Sequence, residues 1–279
     1  EKLVVWGVWE SREKTMYTDG HRFLLQCLMD KPVVTEATME AMYASARESF
    51  PELMELGAPL TAVIEQCNEK LSSLYLEVRM VVNELTSETL FALVSTVMDT
   101  EDRFGSSSLR QFSDGSLDLI RAILAEVFTD SEENLKLWSS GNSNLITLDR
   151  IYTMNDALIP SRKLKLIEIQ DFLTTCEEAL WLVRHEQDKQ IRYTLGPRGL
   201  AEFRPYIEDR FGQSLQRLAC SICTQVVLFA VTCSNEECSI RHHYHCAGAW
   251  FSRRKELACP TCKEGTFPED IRERAQKRK

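Results

Sequence analysis

The sequence predicts a mostly α-helical fold with small β wings: two tandem winged-helix domains followed by a cross-brace zinc-binding module. Apolar residues recur at helical spacing in two successive series of segments, and each series ends in two segments that alternate with a period of two. In addition, seven of the ten cysteines fall between Cys220 and Cys262. These three observations together predict the fold class.

Length and composition set outer bounds on this prediction. The 279 residues suffice for two or three domains, and 44% hydrophobic with 27% charged residues is an ordinary globular composition. No apolar run approaches the length that spans a bilayer, so we expect no membrane partner. The sequence does not begin with Met, which predicts that it is part of a longer chain.

The pattern divides the chain into six regions. They are an unassigned N-terminal arm (1–18), winged-helix domain A (19–98), a linker (99–115), winged-helix domain B (116–212), the zinc module (218–264) and a basic tail (265–279). The linker is polar and contains three consecutive serines at 106–108. The tail gathers Arg and Lys after Asp270, which is typical of a solvated end.

Domain A begins with three predicted helices. An apolar face at residues 23–28 marks the first helix, which Lys31-Pro32 ends. Thr35 is the expected N-cap of the second helix, and the third follows a Gly/Pro loop. Strands are then predicted at 76–82 and 90–94. Three helices followed by a hairpin is the order of a winged helix.

Domain B repeats this order. A clean helical stripe from Leu117 to Val127 follows an expected cap at Asp114 or Ser116. A middle helix ends before Pro160, and a third contains residues 166–176. The elements predicted after it are a hairpin (180–186 and 191–195) and a last helix that runs to about Phe211.

The third helix of each domain lacks the side chains of a duplex reader. Such a helix presents Arg, Lys, Asn or Gln to base edges, whereas residues 61–74 and 163–176 carry mixed, partly acidic outer faces. The net charge of −9 also argues against non-specific binding of nucleic acid by the whole chain. We therefore expect both domains to dock protein partners through apolar faces, and direct DNA contact, for example through the tail, stays an open question.

Eight zinc-type ligands lie in the C-terminal module in four pairs. Structural zinc takes four Cys or His ligands in a tetrahedron, so eight ligands predict two Zn²⁺ ions. Sequential and cross-brace pairing both fit the spacing, and the short His-x2-Cys third pair favours the cross-brace. The first site then contains Cys220, Cys223, His243 and Cys246, and the second contains Cys233, Cys238, Cys259 and Cys262.

Disulfide bonds are the competing interpretation of these cysteines. The sequence shows no secretory signal, and C-x2-C pairs with an interposed histidine favour metal. Zinc thiolates in turn indicate a reducing compartment, the cytosol or the nucleus. His243 has the usual two-residue gap to Cys246, so we expect His242 and His245 to be exposed or to lie behind the ligands.

The ligand order, four cysteines, one histidine and three cysteines, resembles a variant of the RING domain. Three further residues sharpen the resemblance: Ile222 between the first two ligands, Trp250 four residues after the sixth, and Pro260 directly after the seventh. In RING ubiquitin ligases such positions form a shallow apolar groove for a ubiquitin-conjugating enzyme. Lys263 stands where active ligases often carry a cation that contacts ubiquitin. The alternative is that Ile222 and Trp250 only fill the small core.

The same ligand order also resembles the plant-homeodomain finger, a reader of histone tails. That family usually carries an aromatic residue two positions before the seventh ligand, where this chain has Leu257. Both Leu257 and the proline at 260 therefore favour the RING variant.

Tandem winged helices joined to a variant RING resemble one family, the RING-bearing first non-SMC element of the SMC five/six genome-maintenance complex. The segments that carry the likeness are HRFLLQ at 21–26, LYLEV at 74–78 and YTLGPRGL at 193–200. The likeness covers nearly the whole chain after residue 18. The chain departs from the family at the second cysteine pair, where four residues instead of two separate Cys233 from Cys238, which alters the local loop but not the ligands.

This resemblance implies a nuclear, chromosome-associated subunit of the SMC five/six complex that acts in DNA repair and recombination. It implies that the winged helices bind a MAGE-type subunit, that other subunits of the complex are partners, and that a ubiquitin-conjugating enzyme docks on the RING. The implied activity is that of a RING-type E3 ubiquitin ligase stimulated by the MAGE partner, with no catalytic side chain of its own. The alternatives are a non-catalytic scaffold whose zinc module stabilises the complex, and a histone-tail reader.

Overall fold

The computed structural model describes residues 17–55, 57–96, 112–141, 145–187, 189–252, 254, 258–268 and 270–271. Most of the predicted arm and linker, Leu257, and the basic tail after residue 271 lie outside these described residues. Within them the chain is mostly helical with small antiparallel sheets, which confirms two winged-helix domains and a cross-brace module. No helix in this described part is long and apolar enough to cross a membrane.

Domain A combines helices with a three-stranded sheet. Its helices are α1 (Asp19–Asp30), α2 (Glu36–Ser49), α3 (Pro51–Glu55) and α4 (Leu60–Leu71), and its strands are β1 (Val33–Thr35), β2 (Leu76–Val82) and β3 (Thr89–Ser95). The strands pair antiparallel in the order β1-β3-β2. The predicted cap of α2 is confirmed, because the Thr38 backbone N–H donates to the Thr35 Oγ1 at 3.2 Å.

Two elements of domain A differ from the sequence prediction. β1 occupies the segment that the pattern indicates as a break after α1, and its Val34 is buried opposite Phe91 of β3. Three residues are too few to display a period of two. α3 occupies part of the predicted loop, where Pro51 stands at the first helical position and presets the backbone for a turn of helix.

The core of domain A lies between α1, α2, α4 and the inner face of the sheet. Its most buried members include Leu24, Leu28, Met39, Val63 and Val78. Full burial of one such side chain stabilises the fold by about 1.5–3 kcal/mol. These residues occupy the apolar faces that the sequence periodicity predicts, so this core follows directly from the pattern.

A buried neutral histidine joins α1 to α4. The Thr18 N–H donates to His21 Nδ1 at 3.0 Å, and His21 Nε2 lies 2.6 Å from Gln66 Oε1. The neutral ring with its proton on Nε2 satisfies both partners. The ring is fully buried, and this burial lowers the pKa of His21 from its ordinary value of 6.5.

Acidification is therefore expected to destabilise domain A. Below about pH 6.5 the unfolded chain binds a proton at residue 21, whereas the folded chain keeps His21 neutral. The contribution of His21 to the free energy of unfolding is therefore fully present above about pH 6.5 and is lost progressively as the pH falls below it. We expect thermal unfolding of His21→Gln to depend less steeply on pH than that of the wild type between about pH 7 and 5. Equal slopes for the two proteins would contradict this assignment.

Domain B repeats the topology of domain A. Its helices are α5 (Asp114–Phe128), α6 (Glu132–Ser139), α7 (Leu148–Ala157), α8 (Leu166–Glu178), α9 (Pro197–Glu202) and α10 (Arg204–Arg217). Its strands are β4 (Ile146–Thr147), β5 (Leu182–Gln187) and β6 (Gln190–Leu195), which pair antiparallel in the order β4-β6-β5. In both domains a short early strand therefore completes the sheet of the later hairpin.

Domain B differs from the sequence prediction at β4, which the pattern does not predict, and in three further details. The cap of α5 is Ser113, whose Oγ accepts the Ser116 N–H at 3.2 Å, and not either of the two expected residues. α6 has no counterpart in the prediction, and its Trp138 anchors it in the domain core. The single last helix is broken at Phe203 into α9 and α10.

A buried ion pair lies where β5 meets α9. Arg198 and Glu202 are 3% and 1% exposed, and Arg198 Nε lies 3.0 Å from Glu202 Oε2. The Trp181 Nε1–H donates to the same oxygen at 2.7 Å, and the Arg198 guanidinium lies over the Trp181 ring at 4.7 Å. Each buried charge therefore has a partner, which is the condition for keeping such charges inside a core.

The zinc module contains β7 (Ala230–Thr232), β8 (Arg241–His243) and α11 (Tyr244–Phe251). Phe267 and Ile271 complete its small core and are 4% and 0% exposed. The described residues between 265 and 271 therefore belong to the module and not to a tail. The reason is that burying two large apolar side chains is favourable in free energy, whereas exposing them to water is not.

The module is hydrogen-bonded to both winged-helix domains. Glu84, in the turn between β2 and β3, accepts the backbone N–H groups of Leu228 and Phe229 at 3.0 and 2.8 Å. From domain B, the Gly141 carbonyl accepts the Ala230 N–H at 2.6 Å. The hairpin of domain A and the loop after α6 thus position the module.

Candidate metal centre

The structure gathers the eight predicted ligands into two groups of four. Within each group the ligand atoms lie within 4.8 Å of one another. The first and third pairs share one group, and the second and fourth pairs share the other, which confirms the cross-brace and is inconsistent with sequential pairing. The first group is Cys220, Cys223, His243 and Cys246, and the second group is Cys233, Cys238, Cys259 and Cys262.

The two C-x2-C loops fold alike. The Thr224 N–H donates to the Cys220 carbonyl at 2.8 Å, and the Lys263 N–H donates to the Cys259 carbonyl at 3.1 Å. Thr224 and Lys263 both adopt the left-handed conformation, with φ of 61° and 62°. Each tight turn brings the two thiols of a pair together, as a tetrahedral ion requires.

His243 presents its Nδ1 to the first group. Its Nε2–H donates to the Val226 carbonyl at 3.0 Å. This bond leaves the Nδ1 lone pair near Cys223 Sγ and Cys246 Sγ, at 3.3 and 3.8 Å. A neutral imidazole held through its other nitrogen is the usual form of a metal-bound histidine.

The two neighbouring histidines lie outside both groups. His242 is 1% exposed, and its ring lies 5.4 Å from the Phe267 ring. His245 stacks on the His243 ring at 4.7 Å. Both therefore lie behind the ligands, which is one of the two placements that the sequence allows.

Backbone N–H groups and a glycine shape the second group. The Asn235 N–H lies 3.5 Å from Cys233 Sγ, and the Gly265 N–H lies 3.4 Å from Cys262 Sγ. Such donors stabilise a thiolate. A Cβ at residue 265 would lie 2.1 Å from Cys233 Sγ, so this close approach requires glycine. Nothing in the local sequence marks Gly265 as part of the site.

The thiols of each group hold their protons unequally. A hydrogen bond from the Gly265 backbone lowers the pKa of Cys262 to about 6. A hydrogen bond with the Cys246 thiol lowers the pKa of Cys220. Burial raises the pKa of Cys233 to about 12. Zinc binds cysteine as the thiolate, so the thiols of each group would lose their protons when a dication compensates their charge.

The donor chemistry of both groups fits zinc. The first group offers three sulfurs and one imidazole nitrogen, and the second offers four sulfurs, two sets typical of structural zinc. Each group can therefore hold one zinc ion. With four protein ligands, each ion would have no open position for water or substrate. Its role would therefore be structural, to cross-link the chain.

The predicted docking residues lie on the surface of the module. Ile222 is 37% exposed, Trp250 is 40% exposed, and Pro260 and Lys263 are also exposed. The Arg254 guanidinium lies over the Trp250 ring at 3.9 Å from its centroid. Neither Ile222 nor Trp250 is a buried core residue, and their role in docking stays a prediction.

Glu84 lies close to the first group, although the sequence places it in a polar turn. Its Oε1 is 3.8 Å from His243 Nε2, and its side chain is only 9% exposed. Burial raises the pKa of Glu84 to about 6. Its neighbour Glu88 is exposed, and no local pattern separates the two carboxylates.

Comparison with known proteins gives two family matches and a set of relatives. A family described as "Nse1 non-SMC component of SMC5-6 complex" matches residues 21–203, and a family described as "RING-like domain" matches residues 220–262. The "Non-structural maintenance of chromosomes element 1 homolog" of Homo sapiens is 25% identical over 261 residues, which cover 94% of this chain and 88% of that protein. The Mus musculus homolog is 26% identical over 263 residues, with 94% and 89% covered.

A solved structure shares the fold. A chain of the structure titled "Nse1-Nse3-Nse4 complex" superposes with a TM-score of 0.64 at 23% identity, covering 90% of this chain and 97% of that chain. The shared architecture thus extends over the winged-helix domains and the zinc module together.

Proposed function

The chain belongs to the family of Nse1 non-SMC components of the SMC5-6 complex, and from this premise we propose that it is a RING-type E3 ubiquitin ligase subunit of that complex. The proposal places it in the nucleus, on chromosomes, in DNA repair and recombination. Its proposed partners are a MAGE-type subunit, corresponding to Nse3 of the solved complex, together with Nse4 and a ubiquitin-conjugating enzyme. The winged helices would bind the MAGE-type subunit.

The exposure of Ile222 and Trp250 carries this proposal. In the part of the module that the structure describes, they are the large apolar side chains left exposed, while Phe251 and Phe267 are buried. A large aromatic side chain on the surface is typical of a protein interface, and Trp is enriched among the residues that dominate binding energy. Ile222 lies on a ligand loop of the first group, so metal binding would fix its position.

Ubiquitin transfer on such a module is catalysis by orientation. The amine of a substrate lysine attacks the thioester carbonyl between conjugating enzyme and ubiquitin, an amide forms, and the enzyme's cysteine leaves as a thiol. Ile222, Trp250 and Pro260 would hold the conjugating enzyme, and the Lys263 cation would contact ubiquitin. Holding reactants in a reactive pose accounts for large accelerations without a covalent role for the ligase.

Trp250→Ala is expected to lower ubiquitin discharge about tenfold or more, since truncating an aromatic anchor of this kind costs about 2 kcal/mol or more of binding. The measurement is lysine-dependent discharge of a charged conjugating enzyme by the full chain with its MAGE-type partner. Ser252→Ala, at the exposed end of α11, is the matched control and should discharge at the wild-type rate. Both variants should retain two zinc ions.

A scaffold without ligase activity is the second candidate. It is favoured by the hydrogen bonds that attach the zinc module to the winged-helix domains. One of them runs from Arg204 Nη1 to Gln225 Oε1 at 2.6 Å. If no enzyme of a broad conjugating-enzyme panel is discharged above background, and cells carrying Trp250→Ala behave as wild type, the scaffold replaces the ligase.

A further inference from the structure

We propose that Glu84 is a positioning residue of the first group: through this carboxylate, the hairpin of domain A holds the loop and the imidazole that complete a metal site in the C-terminal module. The assignment goes beyond ubiquitin transfer. It concerns how a residue of the first domain governs a zinc site in the last one. The first ligand of that site, Cys220, lies 136 positions after Glu84 in the chain.

The carboxylate holds the loop at residues 226–229. Oε2 accepts the N–H groups of Leu228 and Phe229 at 3.0 and 2.8 Å. Two residues earlier, the Val226 carbonyl accepts the Nε2–H of His243 at 3.0 Å. Glu84 therefore fixes the backbone that carries the acceptor of the ligand histidine.

The carboxylate also faces the imidazole directly. Glu84 Oε1 lies 3.8 Å from His243 Nε2, so this N–H group lies near both an anionic oxygen and the Val226 carbonyl. A negative charge behind the far nitrogen of a metal-bound histidine fixes the ring orientation and makes the ligating nitrogen more basic. Loss of such a partner typically lowers metal affinity by about 10–100-fold.

The Glu84 carboxylate is buried and lies near a second buried charge, that of Arg241. The Glu84 side chain is 9% exposed, and an isolated buried carboxylate is costly. Arg241, on β8, is 4% exposed, and its guanidinium attracts Glu84 electrostatically. Inside the module Arg241 Nη2 donates a long hydrogen bond to the Val227 carbonyl at 3.4 Å. Removing the carboxylate would leave this cation without its compensating charge.

The turn that presents Glu84 is held by hydrogen bonds of Asn83, one from its backbone and one to its side chain. The Asn83 N–H donates to the Glu88 carbonyl at 2.9 Å, and Asn83 Oδ1 accepts the Leu85 N–H at 3.0 Å. The turn packs between the hairpin of domain B and the module.

Cobalt(II) substitution tests the assignment on the full chain. The two groups have different donor sets, so their ligand-field spectra differ and each ion can be followed separately. We expect Glu84→Gln, which keeps the size of the side chain and removes its charge, to shift the bands of the first group. In this variant the first group should release its metal to a chelating dye about tenfold faster or more than in the wild type, while the release rate of the second group stays unchanged. The amide hydrogens of Leu228 and Phe229 should exchange faster.

Glu88→Gln, in the same hairpin but exposed, is the matched control and should release both ions at wild-type rates. Unchanged release from the first group of Glu84→Gln, or equal acceleration from both groups, would overturn the proposal. If Glu84→Gln does not fold, Glu84→Asp, which withdraws the carboxylate by one methylene, must show the same selective effect on the first group, and its absence would equally overturn it. These metal readouts involve no ubiquitin, so they are independent of whether the chain is a ligase.

Discussion

Cys220→Ser is expected to reduce the zinc content from two ions to one per chain and to unfold much of the zinc module. Cys220 is 1% exposed within the first group, where no other described cysteine stands near enough to replace it. Structural zinc contributes about 10–16 kcal/mol to the folding of small zinc modules. The core of this module is small, so its apolar contacts cannot compensate for that loss.

Elemental analysis and hydrogen exchange of α11 measure the two effects. Cys27→Ser is the control, since Cys27 lies on α1 outside both groups, and it should keep two zinc ions and wild-type exchange. Two zinc ions per chain in Cys220→Ser would show that the first group is not a metal site. The winged-helix cores should persist in Cys220→Ser, because they contain none of the ligands.

Glu202→Ala is expected to destabilise domain B by about 3–5 kcal/mol, the usual cost of removing one partner of a buried ion pair. Arg198 would stay buried without an opposite charge, and the Trp181 Nε1–H would lose its acceptor. That loss is a large fraction of the about 5–15 kcal/mol by which a domain is stable. Denaturant unfolding followed by tryptophan fluorescence measures it.

Glu208→Ala is the matched control for this prediction. Its ion pair with Arg204 also spans one helical turn, but the two side chains are 52% and 45% exposed, so we expect a change of about 0–1 kcal/mol. The double variant Arg198→Met/Glu202→Leu should recover part of the lost stability, since no unpaired charge remains, while the Trp181 Nε1–H still lacks its acceptor. Equal stability of Glu202→Ala and the wild type would show that the pair contributes nothing.

The ligands could be predicted from the sequence because the type and spacing of the residues identify a metal site. Two C-x2-C pairs and a His-x2-Cys pair identify ligands from the sequence, whereas the spacing favours the cross-brace over sequential pairing without deciding between them. The structure confirms the cross-brace. Periodicity likewise predicted α1, α2, α4, α5, α7 and α8, whose apolar faces form the two main cores.

Short elements and distant contacts could not be predicted. β4 has two residues and pairs with a strand that begins more than forty positions later, so no local pattern can reveal it. Phe267 and Ile271 look like isolated apolar residues before a basic run, and only the folded module shows where they are buried. Glu84 and Gly265 have their roles through partners far along the chain, and such roles depend on tertiary structure alone.

The hydrogen bond between Glu84 and Leu228 spans 144 residues, which has a consequence for synthesis. At about 5–20 residues per second, the ribosome makes Leu228 roughly 7–30 s after Glu84. Domain A can fold during that interval with its hairpin turn in water. Docking of the newly made C-terminal segment on that turn is therefore expected to be a late step of maturation, well after the N-terminal domain has folded.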